Sequence, residues 1–477
     1  MILTLDLGTT VTKAALWEPD GLVGLAQVAV ETRHPSPGQV EQDPADWWSS
    51  VVGACAALEA AEPGRLRRVR AVGCTGARQT FALFDAAGGP VSSGIVWSDR
   101  RASDEALRLP VGDGIGPPLD GASVPAKLAW LAAHRPDQLS RCAWALAPRD
   151  LVAWRLTGTV ATDLTLASLT NCYRVDGSVD GALAGPFVDR LPPAVGSETV
   201  TGTLTDGAAA VLGLSVGVPV VIGAGDRQGE VMGTGASTAV PMVSWGTTAN
   251  VSLPVAARPS TAPPGLVVTR SAVGEWQLEG GLSAAGSLLA WLGRLSGRAP
   301  GELSTLAATC APGAGGVIAV PWLGGARAPW WRPEAGAALV GLAEVQGPGE
   351  LARAIFEAVA YDVQRCIETM HQRRPPGPLP VALALAGGGA TTPIWWSVLT
   401  GITGLPVRHR RSGQAASAGA ARLAAGAVGE AWDLDQLDPV AGGIDPDPGE
   451  VRRYAAMRDH VDAVAARLVD LGPLPCD

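Results

Sequence analysis

Residues 2–17 read ILTLDLGTTVTKAALW. Ile2–Asp6 reads as a short strand, Leu7–Thr10 carries a turn, and Val11–Trp17 returns as a second strand. Asp20-Gly21 is a hairpin signal that leads into a third strand, Gly24–Val30. Outward from this meander lies a polar, Pro-containing loop. Asp43 is placed to cap a helix over Ala45–Glu62, with Pro44 in its first turn and Pro63-Gly64 at its end. Val69–Cys74 is the next strand, and Phe81–Phe84 and Ile95–Trp97 flank a turn at Asp85–Pro90. A meander followed by alternating helices and strands predicts an α/β chain with a mixed sheet and helices packed on it.

The opening motif returns at mid-chain. Val240–Trp245 reads as a strand, Gly246-Thr247-Thr248 as a turn and Ala249–Leu253 as a strand. Gly8 and Gly246 stand almost half of the 477-residue chain apart. A strand-turn-strand unit at the start of each half predicts two related domains, 1–239 and 240–477, facing one cleft. Later elements follow local signals. Glu350–Gln372 is a long helix with apolar Leu351, Ile355, Val359 and Val363 in step. Arg373–Pro380 is a Pro-rich connector, and Val381–Ala386 is a buried strand running into Gly387-Gly388-Gly389-Ala390. Thr392 and Pro393 open a helix over Ile394–Thr403, and the small residues of Gln414–Ala427 suit a closely packed helix.

Three places carry chemistry. In the first turn, Gly8 lets the backbone approach a ligand, and Thr9 and Thr10 add hydroxyls beside exposed N–H groups, which suits phosphate oxygens. Asp6, at a strand end, can hold Mg²⁺ through water. The alternative is an ordinary hairpin; the second copy at Gly246-Thr247-Thr248 tips the balance toward a two-sided phosphate site. Next, the three glycines of 387–389 before a helix leave room for a flat ring or a phosphate, or simply form a flexible turn. Finally, Val218–Ile222 runs into Gly223-Ala224-Gly225-Asp226-Arg227. Asp226, freed by glycines at a strand end, is placed as a general base, and it can equally cap the helix that follows. No GxGxxG and no GxxxxGK[ST] occurs, so a nucleotide site here is neither of those two kinds. One rival pattern, Gly213-Leu214-Ser215-Val216-Gly217, matches GxSxG, but that motif needs a strand before it and a helix after it, and Val218-Pro219-Val220-Val221 follows.

Composition narrows the classes. The chain is 47% apolar and 17% charged, which fits a large core. A net charge of −9 argues against nucleic acid and anionic membranes as partners. Only Lys13 and Lys127 are lysines. Seven scattered cysteines without a CxxC pair read as reduced thiols, and five isolated histidines show no zinc pattern. The uncharged stretches 207–225 and 375–407 are broken by Gly and Pro and read as buried strands joined by turns. The N-terminus lacks the basic region of a signal peptide, so a cytoplasmic protein is expected.

Together, Asp6-Leu7-Gly8-Thr9-Thr10 with Lys13, Gly225-Asp226, Gly246-Thr247-Thr248 and Gly387-Gly388-Gly389-Ala390 resemble the FGGY family of carbohydrate kinases. The span 337–357, AALVGLAEVQGPGELARAIFE, fits that family's C-terminal signature, and Gly38–Pro44, Trp47-Trp48, Leu156-Thr157-Gly158, Thr162-Asp163 and Ala167-Ser168 are similar to it as well. Among its members the chain looks most like the xylulokinases. The resemblance implies two ribonuclease H-like (actin-like ATPase) domains around ATP, Mg²⁺ and a small sugar or polyol such as xylulose. It implies Asp226 as the catalytic base, Asp6 beside the metal, and Gly8, Thr9, Thr10, Lys13, Gly246, Thr247 and Thr248 at the phosphates. Gly388, Gly389 and Ala390 would lie against adenosine. Arg78 and Gln79 replace the Met-His usual in xylulokinases and are expected to contact substrate together with Asp226. Trp97 is placed at a sugar face or, alternatively, in the core. Arg227 stands where Asn or Gln usually follows the base, and is free to pair with Glu230 or to face the pocket. The substrate alternatives are another polyol or a sugar acid. A homodimer is an open expectation, and the rival class is an actin-like nucleotide-binding module that transfers no phosphate.

Overall fold

The computed structural model describes residues 1–112, 116–259, 265–374 and 376–471; Pro375 and Cys476 lie outside the described residues. Ile2–Leu7 (β1), Val11–Glu18 (β2) and Gly21–Ala29 (β3) form the expected antiparallel meander. The helix Pro44–Ala61 (α1) is capped by the Asp43 carboxylate, which accepts from Ala45 N. Ala71–Gly76 (β4) then pairs parallel to β1, with Asp6 opposite Thr75 and Leu7 opposite Gly76. After the helix Pro148–Thr157 (α2), the edge strand Val200–Thr203 (β5) runs antiparallel to Pro219–Gly225 (β6). β6 lies parallel to β4 and ends at the helix Asp226–Thr234 (α3). The six-stranded sheet has the order β5-β6-β4-β1-β2-β3. The carboxyl ends of β1, β4 and β6 therefore lie side by side and bring Asp6, Arg78 and Asp226 to one edge, the usual ligand position in parallel sheets.

The second sheet is built the same way. Met242–Trp245 (β7) and Ala249–Val255 (β8) are joined by the second Gly-Thr-Thr turn. Val267–Arg270 (β9) and Trp276–Leu282 (β10) follow, then the helices Gly286–Ser296 (α4) and Pro348–Arg373 (α5). Leu383–Ala386 (β11) pairs parallel to β7, and the helix Pro393–Thr403 (α6) leads to Val407–Arg410 (β12), parallel to β11. The helix Ala415–Gly426 (α7) precedes Val440–Ile444 (β13), which is antiparallel to β12. The order is β9-β10-β8-β7-β11-β12-β13. Both sheets thus place a meander beside two parallel strands and an antiparallel edge. α5 covers this sheet with Ile355, Phe356, Val359 and Val363 buried.

The chain groups into two units, Met1–Gly233 with Thr269–Val273 and Gln414–Pro439, and Thr234–Val268 with Gly274–Gly413 and Val440–Asp477. Set beside a single boundary at 239/240, the first unit ends at Gly233 and gains Thr269–Val273 and Gln414–Pro439; the latter carries α7, which packs on the first sheet. Ala418, Ala421 and Ala424 share a core with Ile2, Ala15, Trp17, Ala71 and Val221. Gly73 permits this approach: a Cβ there would lie 2.5 Å from Ala420 O. The opposite face packs Leu3, Leu5 and Leu7 against Val51, Cys55 and Leu58 of α1.

One expectation changes. The stretch 207–225 is not a pair of strands but the helix Asp206–Leu212 followed by β6, whereas within 375–407 the strand and the helix opened by Thr392-Pro393 are present as β11 and α6. Among the described residues no helix is long and apolar enough to cross a membrane. Six described cysteines are free thiols, and burial pushes Cys55 and Cys74 up to about 12.

Candidate active site

In the first unit the site grows from the carboxyl edge of the sheet. At the first turn Gly8 N donates to Val11 O at 3.1 Å, and a Cβ on Gly8 would sit 2.9 Å from that same oxygen. Thr9 is held on two sides: its carbonyl accepts from Gln42 Nε2 at 2.6 Å, and its hydroxyl from Trp97 Nε1 at 3.2 Å. Thr10 is exposed. Trp97 is 39% exposed, so it is not a core tryptophan. Its loop is anchored from beneath by buried Lys127, whose Nζ donates to Val96 O at 2.8 Å and Trp97 O at 3.4 Å. Burial pulls the Lys127 ammonium down to about 7.

Asp6 is buried beside the cross-strand residue Lys13, 4.0 Å from Nζ to Oδ2. Burial pushes its carboxyl up to about 7; Lys13 opposes the shift, and the carboxylates of Asp226 and Glu230 add to it. Lys13 also donates to Gln414 Oε1 at 3.0 Å, just ahead of α7. Asp226 opens α3 with its side chain 42% exposed, and its Oδ1 accepts from Arg227 N at 2.7 Å. Arg78 Nε lies 3.4 Å from Asp226 Oδ1, and Arg78 Nη1 donates to Gln228 Oε1 at 3.4 Å. Gln79 adopts φ 60°, a left-handed conformation rare for a side-chain-bearing residue, and donates to Leu169 O at 3.3 Å. Arg227 Nη1 donates to Glu230 Oε2 at 2.5 Å, the i,i+3 pair weighed from sequence. The structure therefore brings Asp6, Lys13, Arg78 and Asp226 into one charged neighbourhood, with Trp97 on the first turn beside it.

In the second unit the Gly246 turn is strapped to the start of α4. Gly286 N donates to Gly246 O at 3.0 Å, and Ala285 N and Ser287 N donate to Thr247 O at 3.1 and 3.0 Å. Sequence reasoning missed Ala285–Ser287; the available signal was a run of small residues before an apolar helix. The three glycines divide by role. A Cβ on Gly387 would lie 2.4 Å from Trp245 O, and one on Gly389 would lie 2.2 Å from Trp245 Cδ1. Gly388 alone faces open space and is exposed. Ala390 is buried, and its carbonyl accepts from Trp396 Nε1 at 2.6 Å. Thr392 stands at the cap of α6, yet its side chain makes no capping bond. The GxSxG stretch follows a helix and precedes β6, the reverse of what a nucleophile elbow requires, and Ser215 Oγ donates to Arg67 O at 3.2 Å.

Residues 1–233 match the model of the FGGY family of carbohydrate kinases, N-terminal domain, and residues 242–428 match that of its C-terminal domain. A glycerol kinase from Trichlorobacter lovleyi is 32% identical over 459 residues, 91% of this chain and 92% of that protein. A xylulose kinase from Escherichia coli is 31% identical over 492 residues, 99% of this chain and 100% of that protein. A solved structure described as a xyloylose kinase from Brucella ovis superimposes with a TM-score of 0.89 at 26% identity, covering 98% of this chain and 99% of that one.

Proposed function

Because the chain belongs to the FGGY family of carbohydrate kinases, we propose that it transfers a phosphoryl group from ATP to a hydroxyl of a small neutral ketose or polyol, a pentulose such as xylulose foremost. The observation that carries this reading is Asp226, half-exposed at the carboxyl edge of the sheet with Arg78 3.4 Å away. A hydroxyl attacks phosphorus poorly until its proton has an acceptor, and a positioned carboxylate is that acceptor. Arg78 orients the carboxylate and, with Gln79 and Trp97, would contact the sugar. The hydroxyls of Thr9 and Thr10 in one unit and of Thr247 and Thr248 in the other suit phosphate oxygens, while Gly8 N and Gly246 N close the turns themselves. Lys13 adds positive charge beside the first of these turns. Open Gly388 is the point of the 387–390 turn where a nucleoside would meet bare backbone, with Gly389 and Ala390 shaping the surface around it.

Among the described residues no three His, Cys, Asp or Glu side chains gather as a metal site. Mg²⁺ asks for less: one or two carboxylates, with water and phosphate oxygens completing the shell. Asp6, with Asp226 close enough to raise its pKa, fits that requirement and would hold the ion. When bound, Mg²⁺ neutralises phosphate charge during transfer.

A neutral substrate is favoured over a sugar acid because Arg227 is engaged by Glu230. The relatives include a glycerol kinase at 32% and a xylulose kinase at 31% identity, so an assay decides between polyol and ketose. ADP release should be measured with a panel of pentuloses, polyols and aldonates. We expect stimulation by a pentulose or polyol and loss of about 10²–10⁴-fold in Asp226→Asn with nucleotide binding retained. A preference for aldonates would overturn the substrate reading. Turnover in Asp226→Asn within about tenfold of the parent would overturn the base. ADP release indifferent to every sugar would favour a non-catalytic nucleotide-binding module.

A further inference from the structure

The strand that delivers Asp226 is not held by its ladder alone. β5 pairs only with Pro219–Val221, and the register between β6 and β4 shifts between Val221 and Ala224. Within that bulge, at Ile222 and Gly223, and at the Gly225 amide beyond it, backbone groups of β6 find partners outside β4. Ile222 N donates to Thr199 O at 3.1 Å and Gly223 N to Ser197 O at 3.0 Å. Gly223 O accepts from Arg149 Nη1 at 3.1 Å, and Gly225 N donates to Thr165 Oγ1 at 2.9 Å.

These partners converge on one carboxylate. Asp163 Oδ1 accepts from Arg149 Nη1 at 2.6 Å; its Oδ2 accepts from Thr165 Oγ1 at 2.6 Å and Ser197 Oγ at 2.7 Å. Arg149 is also held by Asp150, Nη2 to Oδ1 at 2.6 Å. Arg149 and Asp163 are both 0% exposed. A buried ion pair is a poor source of net stability, since desolvation offsets its attraction and apolar packing of similar volume serves as well. What it supplies is direction, because charged, doubly bonded groups tolerate little displacement. Bulges beside active sites re-aim a side chain, and this one closes at Ala224, two residues before Asp226.

We propose that Thr165, backed by Asp163 and Arg149, is a positioning residue for Asp226: its hydroxyl fixes the Gly225 amide and so sets where the carboxylate stands. The inference rests on the reading of Asp226 as the base. Thr165 is itself 1% exposed, so removal of its hydroxyl should alter the rate of the chemical step rather than binding.

The test is steady-state kinetics, with the best substrate of the panel, on Thr165→Val, Thr165→Ser and Asp226→Asn in the full chain. Valine keeps the shape of threonine and leaves the Gly225 amide without a partner. Thr165→Val is expected to lower kcat about ten- to hundredfold with KM for sugar and ATP within about twofold, the signature of a misplaced group. Thr165→Ser, which keeps the hydroxyl, is expected to recover most of the loss. If Thr165→Val does not fold, Thr165→Ala removes the same hydroxyl and is expected to shift kcat in the same direction. An unchanged kcat in the valine or alanine variant, or KM rising in step with the fall in kcat, overturns the inference while inactive Asp226→Asn leaves the base intact. An active Asp226→Asn overturns both.

Discussion

Two turns of one sequence, Gly8-Thr9-Thr10 and Gly246-Thr247-Thr248, close equivalent strand pairs in the two units. Each loop is three residues long; the last ladder pair is Leu7 with Thr12 in the first and Trp245 with Ala249 in the second. The first turn is surrounded by charge, with Asp6 and Lys13 on its own strands and Asp226 close enough to bear on Asp6. The second is backed by apolar rings, with Trp245 stacked on Phe356 at 5.4 Å and tilted against Trp395 at 4.1 Å, and is tied to α4 by backbone bonds. The same three residues stand in both turns. Charge surrounds the first, and apolar rings back the second.

The largest test of this asymmetry sets Asp6 against Thr247. Asp6→Ala is expected to lower kcat about 10²–10³-fold, as loss of a preorganised electrostatic group does. Thr247→Val removes one hydroxyl from an uncharged turn and is expected to raise KM for ATP about tenfold with a smaller effect on kcat. Equal kcat losses in the two variants would erase the distinction. A second comparison lies within the glycine run. Gly389→Ala presses a methyl into Trp245 and is expected to destabilise by about 1–3 kcal/mol, lowering Tm by several degrees. Gly388→Ala meets open space and should leave Tm unchanged while weakening nucleotide binding. Thermal melts of both variants, with and without ATP, decide it; a matching fall in Tm would mean that the run has a single structural role.

The last comparison lies in pH dependence, where the two effects have opposite signs. Asp6 is pushed from its ordinary 3.8 to about 7, so the folded chain binds that proton more tightly than the unfolded one. Its contribution to stability is full below about pH 4 and is lost as pH rises to about 7. Lys127 is pulled from 10.5 to about 7, so between about 7 and 10.5 the unfolded chain binds the extra proton and stability rises with pH. Melting curves of Asp6→Asn and Lys127→Met should each flatten one window and leave the other. A variant curve parallel to the parent's throughout would show that the buried group titrates ordinarily.

What was legible in the sequence was local. The β1–β2 hairpin, the Asp43 cap and the long helix at 350–372 rest on periodicity and capping within a few residues, and the structure keeps them with ends moved by one or two positions. Asp6 and Asp226 were visible because a carboxylate at a glycine-flanked strand end is a local pattern. Arg149 and Thr165 gave no such sign, since their meaning lies in bonds to Gly223 and Gly225, 74 and 60 residues away; Asp163 stood out only in the family-like Thr162-Asp163 pair, without a sign of its bonds to Arg149 and Ser197. Lys127 read only as a lysine without a phosphate-loop context; its seat under Trp97 depends on a helix that packs beneath the loop. The docking of α7 was equally hidden, because its small residues announce close packing without naming the partner.

That docking bears on how the protein is made. α7 covers one face of the first sheet, but its residues come after most of the second unit in the chain. During vectorial synthesis the first sheet must wait, with Ile2, Ala15, Trp17, Ala71 and Val221 lacking their alanine cover, until residues beyond 426 leave the ribosome. A fragment cut at 239 inherits that same bare face. The first unit is therefore completed only when residues 414–439 are made, and expressing residues 1–239 alone reproduces a nascent chain rather than a domain.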